Sequence, residues 1–433
     1  SAPDSSISSG HMPDSDSFNS SEYKSDPADN ASSGSSLNSA QNAAFDEFLL
    51  QLFRSEITQN TINLHFSLSS PASYGITDIP ISLGGISGQA AEQNRAALEN
   101  TVAALKRFDP KKLSKTQKLT YDILSDYLSM EQKGTDFSLY NEYLNPSSGI
   151  QAQLPVLYEE YRFYNEDDIK TYLKLLPLTG SYFEQIIDFE KEKSSAGLFM
   201  SDAVCKEVIE QCSRFADDGN DHYLILTFNK KVDDFKDLPD EQKTAYKKQN
   251  EKIVKEMIFP AYTSLASSLS SLLGSGKNEK GLCYLKRGRD YYKYLVYENT
   301  GCADSIADIE TMIGQKRLSD LSEAAALTAS NPDLWTDAQK LSLSSADPTS
   351  VLELLKERMQ SDFPKAPDVS YSVSYIEECM EDYLAPAYYI TAPIDDYNAN
   401  SIYINAKTDA TTMRYFTTLA HEGFPGHLYQ TIM

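Results

Sequence analysis

The sequence predicts a mainly α-helical protein with one small β-sheet near its C-terminal end. Apolar residues recur at helical spacing through most of the 433 positions. Alternating, β-branched runs between turn residues are sparse and gather between positions 387 and 405. Helix-start signatures, a Ser or Asp ahead of an apolar run, punctuate the remainder. The length suits two or three domain-sized units or one large helical domain. Hydrophobic residues make up 41% and charged residues 24%, an ordinary balance for a chain that buries a core.

Residues 1–40 contain fifteen serines among Asp, Asn, Gly and Pro. So little apolar surface does not offset the entropy of ordering, and the segment is expected to be a disordered tether. A polar stalk of this kind resembles the spacer behind the lipid anchor of a bacterial surface lipoprotein, which implies an extracellular or cell-surface location. Order is expected from about Gln41, with residues 41–433 forming one helical domain. Phe45, Phe48, Leu49, Leu52 and Phe53 recur at i, i+3, i+4, i+7 and i+8, an amphipathic helix. Ile62 to Gly88 is rich in Ser, Gly and Pro and reads as irregular, with His65 a packed histidine rather than a ligand.

Further helices follow. Leu98, Val102 and Leu105 share a face, and Ser114 with Gln117 is a capping-box pattern ahead of Leu119, Ile123, Tyr127 and Met130. Glu166 to Lys193 is helical with an interruption at Pro177 to Gly180. Asp202 to Phe215 and Glu241 to Leu273 are helical, the second kinked at Pro260. Asp347-Pro348 supplies an N-cap and first-turn proline before Val351, Leu352, Leu355 and Met359. Tyr291, Tyr292, Tyr294 and Tyr297 read as amphipathic packing. The clearest strand is Ser401 to Asn405, with a weaker one at Ala387 to Ala392.

Charge and cysteine narrow the function class. Sixty-three acidic against 39 basic residues give a net charge of −24, which argues against nucleic acid or an anionic membrane surface as partner. No apolar run is long enough for a transmembrane helix. Cys205, Cys212, Cys283, Cys302 and Cys379 include no Cys-x-x-Cys pair and read as mostly buried free thiols.

The chemistry gathers in the last thirteen residues. His421 is followed directly by Glu422, and His427 comes after Gly423-Phe424-Pro425-Gly426. Zinc hydrolases use two neutral imidazoles as ligands and a carboxylate as general base, with the histidines four apart on one helix face. Six apart on an unbroken helix places them about 120° around the axis. Pro425 lacks an amide hydrogen and its ring opposes the carbonyl of His421, while Gly423 and Gly426 loosen the backbone. A break between the histidines is therefore expected to rotate His427 back towards His421. Thr411 to Ala420 reads as the helix leading in, and the strand before it as an edge for an extended peptide, with Tyr403 and Asn405 as candidate substrate contacts. Glu422 would activate water at the metal, and the metal would polarise the scissile carbonyl.

His421-Glu422-Gly423-Phe424-Pro425-Gly426-His427-Leu428-Tyr429-Gln430 resembles the signature of the bacterial domain-of-unknown-function family 885. Gly288 to Leu295 with Asn299-Thr300-Gly301, the Leu113 to Leu128 helix, and Gly197 to Met200 leading into Cys205 to Gln211 are similar to further blocks of that family. The family in turn resembles gluzincins, zinc metallopeptidases whose third ligand is a glutamate. The resemblance implies a helical metallopeptidase-like body, zinc at His421 and His427, and Glu422 as base. It also implies a downstream Glu-Gly-Trp segment carrying the third ligand. Trp335, the one tryptophan, lies upstream and does not match, so the catalytic domain is expected to be incomplete at its C-terminal end. A C-terminal remainder or a second chain would complete it; Glu377, Glu378 and Glu381 are local carboxylates that nothing in the spacing selects. The function expected is zinc-dependent peptide hydrolysis. The alternatives are a non-catalytic peptide- or ligand-binding surface lipoprotein and a scaffold in which the motif only packs.

Overall fold

Helices dominate and a three-stranded sheet lies near the end of the chain, as the periodicity predicts. The computed structural model describes residues 34–86, 88–217, 222–340, 347–376, 385–408 and 413–433. Contacts group the chain into two units, one reaching to Tyr294 and the other running from Leu295 to Met433. Among the described residues no helix is long and apolar enough to cross a membrane.

In the first unit, α1 (Gly34–Ile57) begins seven residues ahead of Gln41. Phe45 is fully buried and clusters with Leu105 of α3 (Gly88–Leu105) and Leu128 of α4 (Lys115–Gly134). Between them lies α2 (Thr61–Ser67), in a stretch expected to be irregular. The Asn60 side chain accepts from the amides of Ile62 and Asn63, and this cap starts a helix too short for periodicity to reveal. His65 is packed, as predicted: its ring stacks on Tyr161 at 3.7 Å, and burial lowers its pKa to about 4. The capping box of α4 is present in both directions between Ser114 and Gln117. Its Leu119 and Ile123 nevertheless face outward, and Tyr121 and Leu124 pack inward instead.

After α5 (Ile150–Glu160), α6 (Glu166–Leu175) and α7 (Thr179–Ala196) meet at a tight turn through Pro177, where the interruption is predicted. The helix α8 has the predicted bounds, Asp202–Phe215, and Ser201 caps it. After α9 (Tyr223–Asp234), the predicted kink near Pro260 appears as a wide turn at Val254–Ile258 between α10 (Asp240–Ile253) and α11 (Phe259–Leu272). Cys205, Val208 and Cys212 of α8 and Leu265 and Leu269 of α11 are fully buried. Both cysteines are free thiols; Cys283 is exposed, Cys302 half-buried, and Cys379 lies outside the described residues.

The chain enters the second unit through α12 (Gly288–Thr300), then α13 (Ile306–Ser330) and α14 (Leu334–Gln339). Asp347 caps α15 (Pro348–Arg358) by accepting from the Ser350 amide, as the Asp-Pro pair predicts. Strands β1 (Tyr371–Tyr375), β2 (Ala387–Ile390) and β3 (Asn400–Ile404) order as β1-β3-β2. The pair β1–β3 is parallel and β2–β3 antiparallel, with Val373 and Tyr389 both opposite Ile402. The sequence reading missed β1, whose serines alternate with Tyr and Val and mask its apolar face. The last helices are α16 (Met413–Glu422) and α17 (His427–Ile432). Leu352 and Leu355 of α15, Ile402 and Ile404 of β3, and Leu419, Phe424 and Leu428 form the core beneath them.

Candidate metal centre

The motif folds as a helix, a turn and a second helix. The last α16 bond runs from the Gly423 amide to the Leu419 carbonyl, and α17 opens with the Gln430 amide donating to the Gly426 carbonyl. Close approach requires glycine at 426 and leaves little room for more at 423. A Cβ on Gly426 would lie 1.7 Å from the carbonyl oxygen of His421, and one on Gly423 would lie 2.2 Å from Leu352 Cδ2. The chain therefore doubles back over the His421 carbonyl, the group that Pro425 was expected to oppose. Phe424, at the centre of the turn, is fully buried, with its ring 5.8 Å from that of Tyr371 and the Lys356 ammonium 5.4 Å above it. The turn is anchored in the core and returns His427 to the side of His421.

The break has the predicted consequence. The rings of His421 and His427 lie 4.5 Å apart, nearly perpendicular at 80°. One ligand atom from each of His421, Glu422 and His427 falls within 4.8 Å of the others. Both histidines face solvent, while the Glu422 side chain is only 13% exposed. Glu422 Oε1 lies 4.0 Å from His421 Nε2, and its other oxygen accepts a 2.9 Å hydrogen bond from the Tyr389 amide. Burial raises the Glu422 pKa; His421 and the Tyr389 amide oppose that shift. Nitrogen ligands bound to zinc at about 2.1 Å in a tetrahedral site sit roughly 3.4 Å apart. A small rotation of an exposed imidazole covers that difference, and an N,N,O donor set suits zinc. The residues present therefore fit a zinc ion through two protein nitrogens, with Glu422 beside it.

The remaining predicted site residues lie elsewhere. Tyr403 pairs with Tyr388, the two rings stacked 5.1 Å apart. Alternation along the strands puts this pair on the sheet face opposite Ile402 and Tyr389, which pack towards the motif helices. Asn405 is buried and its side chain accepts from the Lys407 amide. The structure therefore brings together His421, Glu422 and His427 and turns Tyr403 to the other face of the sheet. Glu377, Glu378 and Glu381, together with residues 411 and 412 of the expected lead-in helix, lie outside the described residues.

The residue that sequence reasoning missed is Tyr389. The Asn405 amide donates to the Pro386 carbonyl, so positions 386, 388 and 390 of the antiparallel pair turn their backbone groups towards β3. Ala387 and Tyr389 then turn theirs away from β3, where the Tyr389 amide meets Glu422. The only sequence signal was the weak Ala387 to Ala392 strand, which carries no hint of which way its amides turn.

A family model described as "Bacterial protein of unknown function (DUF885)" matches residues 72–433. Among solved structures, the chain is similar to "the putative lipoprotein from Colwellia psychrerythraea". The TM-score is 0.77 at 17% identity, over 90% of this chain and 72% of that one, a likeness of fold. No curated protein matches the chain.

Proposed function

The chain belongs to the DUF885 family of bacterial proteins, and we propose that it serves zinc-dependent hydrolysis of peptides at the His421–Glu422–His427 cluster. The observation that carries this reading is the convergence of three ligand atoms within 4.8 Å across a helix break that sequence spacing alone would forbid. His421 and His427 would hold the ion; zinc there would supply Lewis acidity, polarising the scissile carbonyl and acidifying water. Glu422 takes the proton of the attacking water and passes it to the departing amine nitrogen. Its desolvated carboxylate suits that work, since burial raises its proton affinity. One carboxylate oxygen is held by the Tyr389 amide, which leaves the oxygen nearer His421 for the proton.

Substrate would enter along β2. β2 is the outer strand of the sheet and its Tyr389 amide meets Glu422, so an extended peptide laid beside Tyr389 would run past the base. A further carboxylate ligand belongs to the same reading. So does a location at the bacterial surface, in line with the polar N-terminal segment and the fold likeness to a protein described as a "putative lipoprotein".

Elemental analysis after dialysis against trace zinc, on the wild type and His427→Ala, tests the centre. Near-stoichiometric zinc that the variant loses supports it. A metal-free wild type that binds peptides without cleaving them would replace the enzyme with a binding protein.

A further inference from the structure

The row Leu119, Ile123 and Tyr127 of α4 is 60%, 60% and 38% exposed. The same helix buries its other side, where Tyr121, Leu124 and Leu128 join Phe45 and Leu105. At 100° per residue the exposed row spans about 80° of the helix. An uncovered apolar face of this kind marks a contact with a partner or a membrane. Just ahead of the row the charge of the chain reverses. Residues 106–118 hold Lys106, Arg107, Lys111, Lys112, Lys115 and Lys118 against a single acid, Asp109, in a chain of net charge −24. The side chains of Lys112 and Lys118 are more than half exposed. The acids further along α4 are Asp122, paired with Lys118, and Asp126. The net charge argues against an anionic surface for the chain as a whole, but screening over about 8 Å leaves the local balance to decide at contact.

The polar N-terminal segment joins the body at this place. Gln41 of α1 donates through Nε2 to the Asp109 carbonyl at 2.8 Å, and Gln117 Nε2 donates to the Asn42 carbonyl at 3.0 Å. A tether held in a membrane ahead of α1 would therefore keep the basic run and the exposed row close to the bilayer. A second copy suits the row less well. Lys115, Asp122, Asp126 and Lys133 line one flank of it, and an antiparallel twofold contact would set Lys115 towards Lys133 and Asp122 towards Asp126, like against like. We infer that this face of α4 docks the body on an anionic lipid bilayer, with the lysines at the headgroups and Leu119, Ile123 and Tyr127 at the acyl boundary. The inference rests on the surface location proposed above and is independent of zinc.

Cosedimentation of the 433-residue chain with phosphatidylcholine vesicles, with and without phosphatidylglycerol, tests it. Each basic side chain at an anionic surface strengthens binding about fivefold. Lys111→Ala/Lys112→Ala/Lys115→Ala is therefore expected to weaken binding to the phosphatidylglycerol vesicles about 100-fold, and added salt to weaken the wild type likewise. Leu119→Ser/Ile123→Ser should weaken it at least about tenfold at every salt concentration. Lys252→Ala/Lys316→Ala/Lys340→Ala removes the same charge from exposed lysines elsewhere and should bind as the wild type does, with urea midpoints confirming that each variant is folded. A wild type that ignores phosphatidylglycerol vesicles at low salt, or an equal loss in the control variant, would overturn the inference. So would a lipid-free dimer in sedimentation that Leu119→Ser/Ile123→Ser dissolves, because the row would then belong to a second copy. A chain recovered from the cytosolic fraction of cells that still binds vesicles through α4 would sink the surface location and leave the lipid contact standing.

Discussion

Gly426→Ala tests the break itself. The added Cβ would sit 1.7 Å from the His421 carbonyl oxygen, 2.3 Å from its carbon and 2.5 Å from the Ala420 oxygen. All three are backbone atoms, so no side chain can swing aside. Contacts under 3.0 Å are essentially never seen, and the two strands of the turn must part by about 1.3 Å. His421 stands on one side of that approach and His427 on the other. Two nitrogens bound to one zinc at about 2.1 Å cannot be more than roughly 4.2 Å apart. Donor atoms within 4.8 Å of one another have little slack against that limit, and parting the backbone beneath them takes up more of it. Zinc affinity, measured by competition with a chromophoric chelator, is expected to fall at least about 100-fold. Urea unfolding should show a loss of about 2–3 kcal/mol. Gly180→Ala is the control, because a Cβ there meets nothing within 4 Å; on α7 it should be neutral or stabilise by up to about 1 kcal/mol. Wild-type zinc affinity in Gly426→Ala would refute the claim that the close approach sets the histidine geometry.

Three further outcomes are expected. Glu422→Gln should keep its zinc and lower peptide turnover by about 10²–10⁴-fold, read as kcat beside metal content; undiminished turnover would remove the glutamate from the mechanism. Leu419→Ala, fully buried beneath the centre, should cost about 2–5 kcal/mol in urea unfolding, and a smaller loss would mean that the core beneath the motif collapses to fill the space. Glu190 is fully buried in the first unit, with Lys193 Nζ 3.8 Å away, and burial raises its pKa from 4.5 to about 7. A raised folded-state value binds the proton more tightly in the native state, so this contribution is full below pH 4.5 and is lost as pH rises through 7, by about 3 kcal/mol. Denaturant titrations across that window should show Glu190→Gln with a flatter profile than wild type, and parallel profiles would show that Glu190 does not titrate there.

Most of the fold was legible because it rests on local rules. Ser114 with Gln117 and Asp347 with Pro348 announce helix starts from a few residues, and the structure forms both caps. Pro177 and Pro260 likewise mark where helices must yield. What failed depended on distant contacts or short length. Seven residues starting at Thr61 offer no period to read, and β1 is a strand because β3 pairs with it, not because of its Tyr-Ser-Val-Ser-Tyr sequence. Leu119 and Ile123 have helical spacing, but periodicity reports a face without saying whether anything covers it. At the site, His421, Glu422 and His427 were found by residue type and spacing, whereas Tyr389 acts through its amide, a group every non-proline residue has.

The two histidines converge through tertiary structure. A ten-residue helix is marginal in water, and α17 is only six residues long. What holds the turn between them is Phe424 buried beside Tyr371, Gly423 against Leu352, and the Tyr429 hydroxyl donating to the Pro364 carbonyl at 2.8 Å. Each partner comes from outside residues 413–433. A synthetic peptide of those residues has the complete motif but none of these anchors. Its circular dichroism should be that of a largely unfolded chain, and its zinc affinity at least about 100-fold below that of the protein, since ordering the turn must then be met from binding. Equal affinities would mean that the motif shapes itself, and that the sheet and α15 only carry it.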